Sequence, residues 1–92
     1  MVRVTRLVLD VLKPHQPDSL EFARTIAAHI NEAHVALKVV EMDEKTETLE
    51  ITIQAPVLEM NEIVAVISQM GGSLHSVDGV DVVNVPDSSN EI

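Results

Sequence analysis

The stretch that decides the fold is VRVTRLVLDVL, residues 2–12, in which seven of the eleven side chains are Val or Leu. A continuous apolar run of this length is typical of a central strand that is at least partly covered on both faces. Pro14 and Pro17 follow it closely, and proline cannot donate to a β-ladder. Residues 2–12 are therefore predicted to form a strand in the middle of a sheet.

A helix is predicted next. Asp18 suits a helix N-cap, and Glu21, three residues later, completes a capping box. The apolar side chains that follow repeat at helical spacing and form one stripe that continues to about Asn31: Leu20, Ala23, Ile26, Ala27 and Ile30.

The rest of the chain predicts three more strands and one more helix. Strands are expected over residues 35–42, 48–55 and 73–85, and a helix over residues 58–70 that ends at Gly71-Gly72. The third strand has the clearest alternation, with Leu49, Ile51 and Ile53 on one face. Several acidic residues lie around the hairpin before it, Glu41, Asp43, Glu44, Glu47 and Glu50, and are expected to form a solvated face.

The element order β-α-β-β-α-β gives two β-α-β halves, and right-handed crossovers place the first and third strands side by side. We therefore predict an α+β, ferredoxin-like fold with a four-stranded antiparallel sheet in the order 4-1-3-2 and both helices on one face. Residues 1–85 are expected to form a single domain, and residues 86–92 a disordered tail.

Composition excludes several classes of protein. The chain has 92 residues, a formal net charge of −9 and no cysteine, which argues against nucleic-acid binding, anionic membrane surfaces and disulfide or thiolate chemistry. The sequence also lacks a secretory leader pattern and an apolar run of about 20 residues. These features predict a cytoplasmic protein.

The helix-free face of the predicted sheet is expected to be apolar. If Leu7, Leu9 and Val11 face the helices, the alternation turns another set outward: Val4, Val8, Leu12, Ala36 and Val40. Because contiguous exposed apolar patches usually mark partner sites, this set predicts the interface of a homo-oligomer.

Four residues are candidate metal ligands. Asp10 interrupts an apolar strand, and the topology places it near His75 and Asp78 of the last strand, with His15 expected at the same end of the sheet. Carboxylates with imidazole suit a divalent cation such as calcium or magnesium. No spacing matches a metal signature, so Asp10 and His75 could equally be structural.

Three segments together resemble a known family. They are RLVLDVLKPH (residues 6–15), the acidic hairpin MDEKTET (residues 42–48) and MGGSLHSVD (residues 70–78). The chain is similar over about residues 2–83 to DUF211, a small and mainly archaeal family of unknown function. The resemblance implies a ferredoxin-like fold that assembles into rings or other oligomers without an established activity.

The resemblance also singles out positions to examine, namely Asp10, Lys13, His15, His75, Ser76 and Asp78. The chain departs from the family pattern at residues 32–36 and 78–82, so ligand or subunit contacts from those two regions do not carry over.

The sequence thus favours a self-assembling, non-enzymatic binding or regulatory module. Two alternatives stay open. The oligomer could bind a divalent cation through Asp10 with His75 or Asp78, or the protein could be an enzyme that uses His75 as a general acid or base.

Overall fold

The computed structural model describes residues 1–86. Its elements are β1 (Val2–Pro14), α1 (Ser19–His29), β2 (His34–Met42), β3 (Thr46–Gln54), α2 (Met60–Gln69) and β4 (Ser73–Asn84). Of the tail predicted over residues 86–92, all but Pro86 lie outside the described residues. No helix in the described part of the chain is long and apolar enough to cross a membrane.

The strands form one sheet in the order β2-β3-β1-β4, and all three pairings are antiparallel. This is the predicted order 4-1-3-2, and the ferredoxin-like α+β fold is confirmed. The long apolar run of β1 lies at the centre because it pairs with β3 on one side and with β4 on the other.

The core lies between the sheet and the two helices. Leu7, Leu9 and Val11 of β1 are buried on the helix side, as the alternation predicts. They pack with aliphatic side chains of β3 and with the apolar stripes of the helices: Leu49, Ile51, Ile53, Phe22, Ile26, Ile63, Val66 and Ile67. The single aromatic residue, Phe22, is completely buried in this cluster.

The helix starts follow from local hydrogen bonds. The Asp18 side chain accepts a 2.9 Å bond from the Glu21 backbone N–H, which confirms the predicted N-cap of α1. The second helix begins at Met60 and not at Leu58. Glu59 before it has an extended backbone (φ −111°, ψ 111°), and the Leu58 backbone N–H donates to the Val4 carbonyl at 2.8 Å, which fastens this segment to β1.

Four β-bulges interrupt the regular strand pairing within residues 1–86. The register of β1 with β4 leaves Thr5, His75 and Asp78 without a cross-strand partner, and the register of β2 with β3 does the same to Val40. A bulged residue breaks the strict alternation of side chains between the two faces of a sheet. The bulges therefore decide where several of the candidate residues point.

The bulge at Thr5 corrects one expectation. Val4 was expected on the helix-free face with Val8, but it packs against the helix-side core. The extra residue between Val4 and Arg6 reverses the alternation in this part of β1.

The end of α2 depends on two glycines with different constraints. Gly71 has φ +83°, in the left-handed region that favours glycine. Gly72 is buried, and a Cβ at this position would lie 2.9 Å from Ile67 Cγ2 and 3.0 Å from Phe22 Cζ. The chain can pass this close to the core only without a side chain.

Replacing Gly72 by alanine should lower the free energy of unfolding by about 1–3 kcal/mol, because the new methyl group overpacks the core against Ile67 and Phe22. Urea unfolding followed by circular dichroism measures this loss. Ser73→Ala, at the neighbouring exposed position, is the control and should change stability by less than about 0.5 kcal/mol. Equal stability of Gly72→Ala and wild type would contradict the packing described here.

Candidate functional site

The open face, defined as the side of the sheet opposite the helices, carries charged residues at its centre. Across the sheet, Lys38 of β2 lies opposite Glu50 of β3, Glu50 lies opposite Asp10 of β1, and Asp10 lies opposite Ser76 of β4. Of the residues predicted to make this face apolar, Val8, Leu12, Ala36 and Val40 are on it. They flank a charged row and do not form a continuous apolar patch.

Asp10 and His75 form the contact that the sequence predicts. Asp10 Oδ2 and His75 Nδ1 are 3.3 Å apart, and the two side chains are 30% and 77% exposed. His75 reaches Asp10 because it is the extra residue of a bulge, which places it on the open face next to Ser76. The pair is thus built from the first and the last strand of the chain.

Asp78 is held by a different partner. The Ser76 hydroxyl donates to Asp78 Oδ1 at 2.7 Å, and Asp78 is itself the extra residue of the second bulge in β4. Because the Ser76 hydroxyl is directed to Asp78, it is not aligned with His75 as a nucleophile would be. The geometry does not assemble Asp10, His75 and Ser76 into a catalytic triad.

Two shallow clefts meet at Asp10. One has a volume of about 280 Å³ and is lined by Asp10, Leu12, Thr48 and His75. The other has a volume of about 160 Å³ and is lined by Asp10, Val40, Thr48, Leu49, Glu50 and Asp78. The carboxylates of Asp10 and Asp78 therefore share the wall of one cleft, while His75 lines the other.

The candidate ligands do not form a complete metal centre in this geometry. Within residues 1–86, no three His, Asp or Glu side chains are grouped closely enough to hold a metal ion. Asp10 and His75 are in contact, and Asp78 is nearby in the adjoining cleft. His15 is not with them.

His15 instead belongs to a cluster with Lys13 and Glu47 on the helix side of the sheet. Its Nδ1 donates to Glu47 Oε2 at 2.9 Å, and its Nε2 donates to the Glu44 carbonyl at 3.0 Å. Since both ring nitrogens face acceptors, the site favours the protonated imidazolium over a metal-binding neutral ring.

Lys13 is the centre of this cluster. Its side chain is completely buried, and the ammonium lies 3.1 Å from Glu47 Oε1. The ammonium also donates to the carbonyls of Pro14 and Pro17, both at 2.8 Å, and lies 5.8 Å from the ring centre of Phe22. A buried ammonium needs such partners because the protein interior solvates charge poorly.

The hydrogen bond from His15 is the main reason that the pKa of the Glu47 carboxyl lies below its usual 4.5; burial opposes this shift and the Lys13 ammonium adds to it. In the other direction, the Glu47 carboxylate and then the Glu44 carbonyl raise the pKa of His15 above its usual 6.5. The cluster therefore stabilises both charged forms.

The expectation of a wholly solvated acidic hairpin is wrong for Glu47, which is buried. The sequence contains the signal for this. Glu47 alternates in phase with Leu49 and Ile51, and Lys13 alternates in phase with Leu9 and Val11. Period-2 spacing places both charged residues on the helix side, directly opposite each other in the β1–β3 pairing.

Comparison with known proteins identifies relatives of unknown function. The sequence profile of DUF211, described as "Uncharacterized ArCR", matches residues 5–85. The chain is also 38% identical over 77 residues to "Uncharacterized protein MJ0319" of Methanocaldococcus jannaschii, and the match covers 84% of this chain and 79% of that protein.

The His15–Glu47 pair should make stability depend on pH. Because the pKa of His15 is raised by folding, its contribution is complete below about pH 6.5 and is lost as the pH rises through the higher folded-state value. His15→Gln should therefore remove part of the decrease in unfolding free energy that wild type shows above pH 6.5. Urea unfolding at a series of pH values measures it.

Gln69→Ala, at an exposed position of α2 that carries no titratable group, is the control and should keep the wild-type pH profile. If the stability difference between wild type and His15→Gln is the same at every pH, the charged pair does not contribute as described. On the acid side, the Glu47 contribution should be lost as the pH falls below 4.5 through the lowered pKa of Glu47.

Proposed function

The chain belongs to the uncharacterised DUF211 family, and we propose that it is a self-assembling module that acts by binding and not by catalysis. The observation that supports this most strongly is the set of exposed aliphatic side chains on the two outer strands of the sheet. They are Val39, Val40 and Met42 on β2, and Val77, Val80, Val82 and Val83 on β4.

The position of these side chains favours association between copies. Both β2 and β4 are edge strands, so each has backbone N–H and C=O groups on its outer side that no other strand within residues 1–86 pairs with. Pairing of such an edge with a strand of another copy would be favourable, because it would bury the exposed Val and Met side chains and complete the backbone hydrogen bonds.

The open face is less suited to be the interface than the sequence suggested. Stacking two open faces would bury the charged row of Lys38, Glu50 and Asp10, and burying charges that are not fully paired costs free energy. Assembly through the strand edges leaves this face accessible, with one copy of the Asp10–His75 cleft on each subunit.

Such an assembly would present the open faces as a repeated binding surface. The clefts at Asp10 are shallow and His75 is 77% exposed, so water has free access to the imidazole. General acid–base catalysis usually benefits from a site that excludes water. This geometry supports binding more than it supports the use of His75 as a catalytic acid or base.

Self-assembly predicts a particle heavier than the 10.1 kDa chain. Size-exclusion chromatography with light scattering, over a concentration series from about 1 to about 100 μM, measures the mass, and we expect an integral multiple of the chain mass at micromolar concentration. A mass of 10.1 kDa at every concentration would refute the proposal.

A second candidate function is binding of a divalent cation, and the Asp10–His75 contact is the observation that favours it. Asp10 and Asp78 line the same cleft and could both turn toward an ion there. Hard cations such as calcium and magnesium prefer carboxylate oxygens, and they take further ligands from water or from a neighbouring chain.

Isothermal titration with calcium, magnesium or zinc tests the cation site. Asp10→Asn should abolish the heat of binding, because the amide lacks the negative charge that a divalent cation requires. Asp43→Asn, in the exposed hairpin, is the control and should bind as wild type does. Absence of heat with wild type, or equal binding by Asp10→Asn, would eliminate this site.

A further inference from the structure

The turn between β2 and β3, residues 43–45, is joined to the loop after β1 by an imidazole ring. We propose that His15 is a proton-operated latch: the doubly protonated ring fastens this turn to the body of the domain, and loss of one proton releases it. The latch lies apart from the cleft at Asp10, and it does not depend on the proposed self-assembly.

The ring of His15 stands between two acceptors that belong to different elements. Nδ1 donates to Glu47 Oε2 at 2.9 Å, and Nε2 donates to the Glu44 carbonyl at 3.0 Å. Glu47 is buried in β3, whereas Glu44 lies in the exposed turn. A ring that donates from both nitrogens must be the imidazolium, because the neutral ring has a single N–H. One proton therefore decides whether both elements can be held at once.

Loss of that proton leaves one N–H for two acceptors. The remaining N–H stays with Glu47, because a charged carboxylate is a stronger acceptor than a carbonyl. This carboxylate is also held in place by the Lys13 ammonium at 3.1 Å and by the Ser19 hydroxyl at 3.3 Å. Nε2 then presents a lone pair to the Glu44 carbonyl oxygen. Two acceptors at 3.0 Å with no hydrogen between them repel each other, so the turn moves away from the ring.

The backbone of β1 attaches the turn weakly, because its last residue is a proline. Pro14 lies opposite Thr46 in the β1–β3 pairing, where it has no N–H to donate. Its carbonyl accepts from the Lys13 ammonium at 2.8 Å. The bond from the Asp43 N–H to the Thr46 carbonyl, also 2.8 Å, stays within the hairpin. Since residues 43–45 are all exposed, the bond from the imidazole is what ties them to the loop after β1.

The charged groups around the ring keep their charges while the imidazole titrates. The titratable side chains of the surrounding elements are Lys13, Asp18, Asp43, Glu44, Lys45 and Glu47. Carboxyl and lysine groups ordinarily titrate far from neutral pH, whereas imidazole titrates near it. The Glu47 carboxylate and then the Glu44 carbonyl raise the pKa of His15 above its usual 6.5, and burial opposes them. The latch is thus fastened below pH 6.5 and is released as the pH rises through the higher folded-state value.

The other three histidines lie away from this turn. His34 begins β2, at the end of that strand opposite the turn. His29 is in the last turn of α1, and His75 is on the open face. A pH response of residues 43–45 near neutrality can therefore be assigned to His15.

Nuclear magnetic resonance on the full chain tests the latch. The ring resonances of His15 report its protonation, and backbone relaxation reports the mobility of the turn, from about pH 5.5 to about pH 8.5. We expect the order parameters of residues 43–45 to fall from about 0.85 to below about 0.6 as the pH rises, with the midpoint of the ring titration. A turn that is equally rigid or equally mobile at both ends of the titration would overturn the inference, as would a different midpoint.

The variant His15→Gln removes the titrating group and keeps a polar side chain. An amide donates from one nitrogen only, so it cannot span the two acceptors that the ring joins. The turn should be mobile at every pH, and circular dichroism verifies that the variant folds. A pH transition that persists without the imidazole would exclude the latch. If the variant does not fold, the wild-type titration alone decides.

Lys45→Gln, in the turn itself, is the matched control. It changes the charge of the turn by one unit but leaves the ring of His15 and both of its acceptors in place. This variant should show the wild-type transition. If the transition disappears, the turn responds to its own charge and not to the imidazole, and the inference is wrong.

Relaxation also separates the latch from a general loss of stability. Global unfolding is much slower than the motions that order parameters report, so a lower unfolding free energy does not change them in the folded chain. The order parameter of Ile63, in the buried face of α2, should stay near about 0.85 throughout. If the wild-type turn stays rigid while urea unfolding shows the pH-dependent contribution of His15, the pair stabilises the fold without acting as a latch.

Discussion

The buried ammonium of Lys13 is the constraint on which the arrangement around the end of β1 depends. It joins the carbonyls of Pro14 and Pro17, the carboxylate of Glu47 on β3, and the ring of Phe22 on α1. Because water does not reach this ammonium, its charge is stabilised only while these neighbours stay in place. The ammonium therefore links the end of β1 to β3 and to the start of the first helix. The His15 contact with the same carboxylate extends the cluster to the surface, and the raised pKa of His15 predicts that its contribution depends on pH.

The bulges in β4 have a comparable role on the other side of the sheet. In a regular strand His75 and Ser76 would point to opposite faces, and Asp10 would lack its imidazole partner. Because His75 and Asp78 are the extra residues, both reach the open face beside Asp10. The candidate binding cleft therefore depends on these two bulges.

The core and the edges of the sheet also explain the unusual composition. The chain has fifteen Val and seven Ile but a single aromatic residue. Two helices and four strands bury the central rows completely, whereas the outer ends of the same rows stay exposed at Val77 and Val80. A small domain with one shallow core gains stability when its neighbours complete that core, and this is the physical basis for the proposed assembly.

By itself the sequence determined the order of elements, the central position of residues 2–12, the N-cap at Asp18 and the proximity of Asp10 to His75, because these follow from periodicity, local capping and topology. It also contained, in the alternation of Glu47 with Leu49, a signal for the buried ion pair that the acidic character of the hairpin obscured. Only the tertiary structure decided which face of the sheet Val4 lies on, which residues contact His15, and where β4 is bulged. Those outcomes depend on bulges and on a shared buried carboxylate, and both arise when strands far apart in sequence adjust to each other.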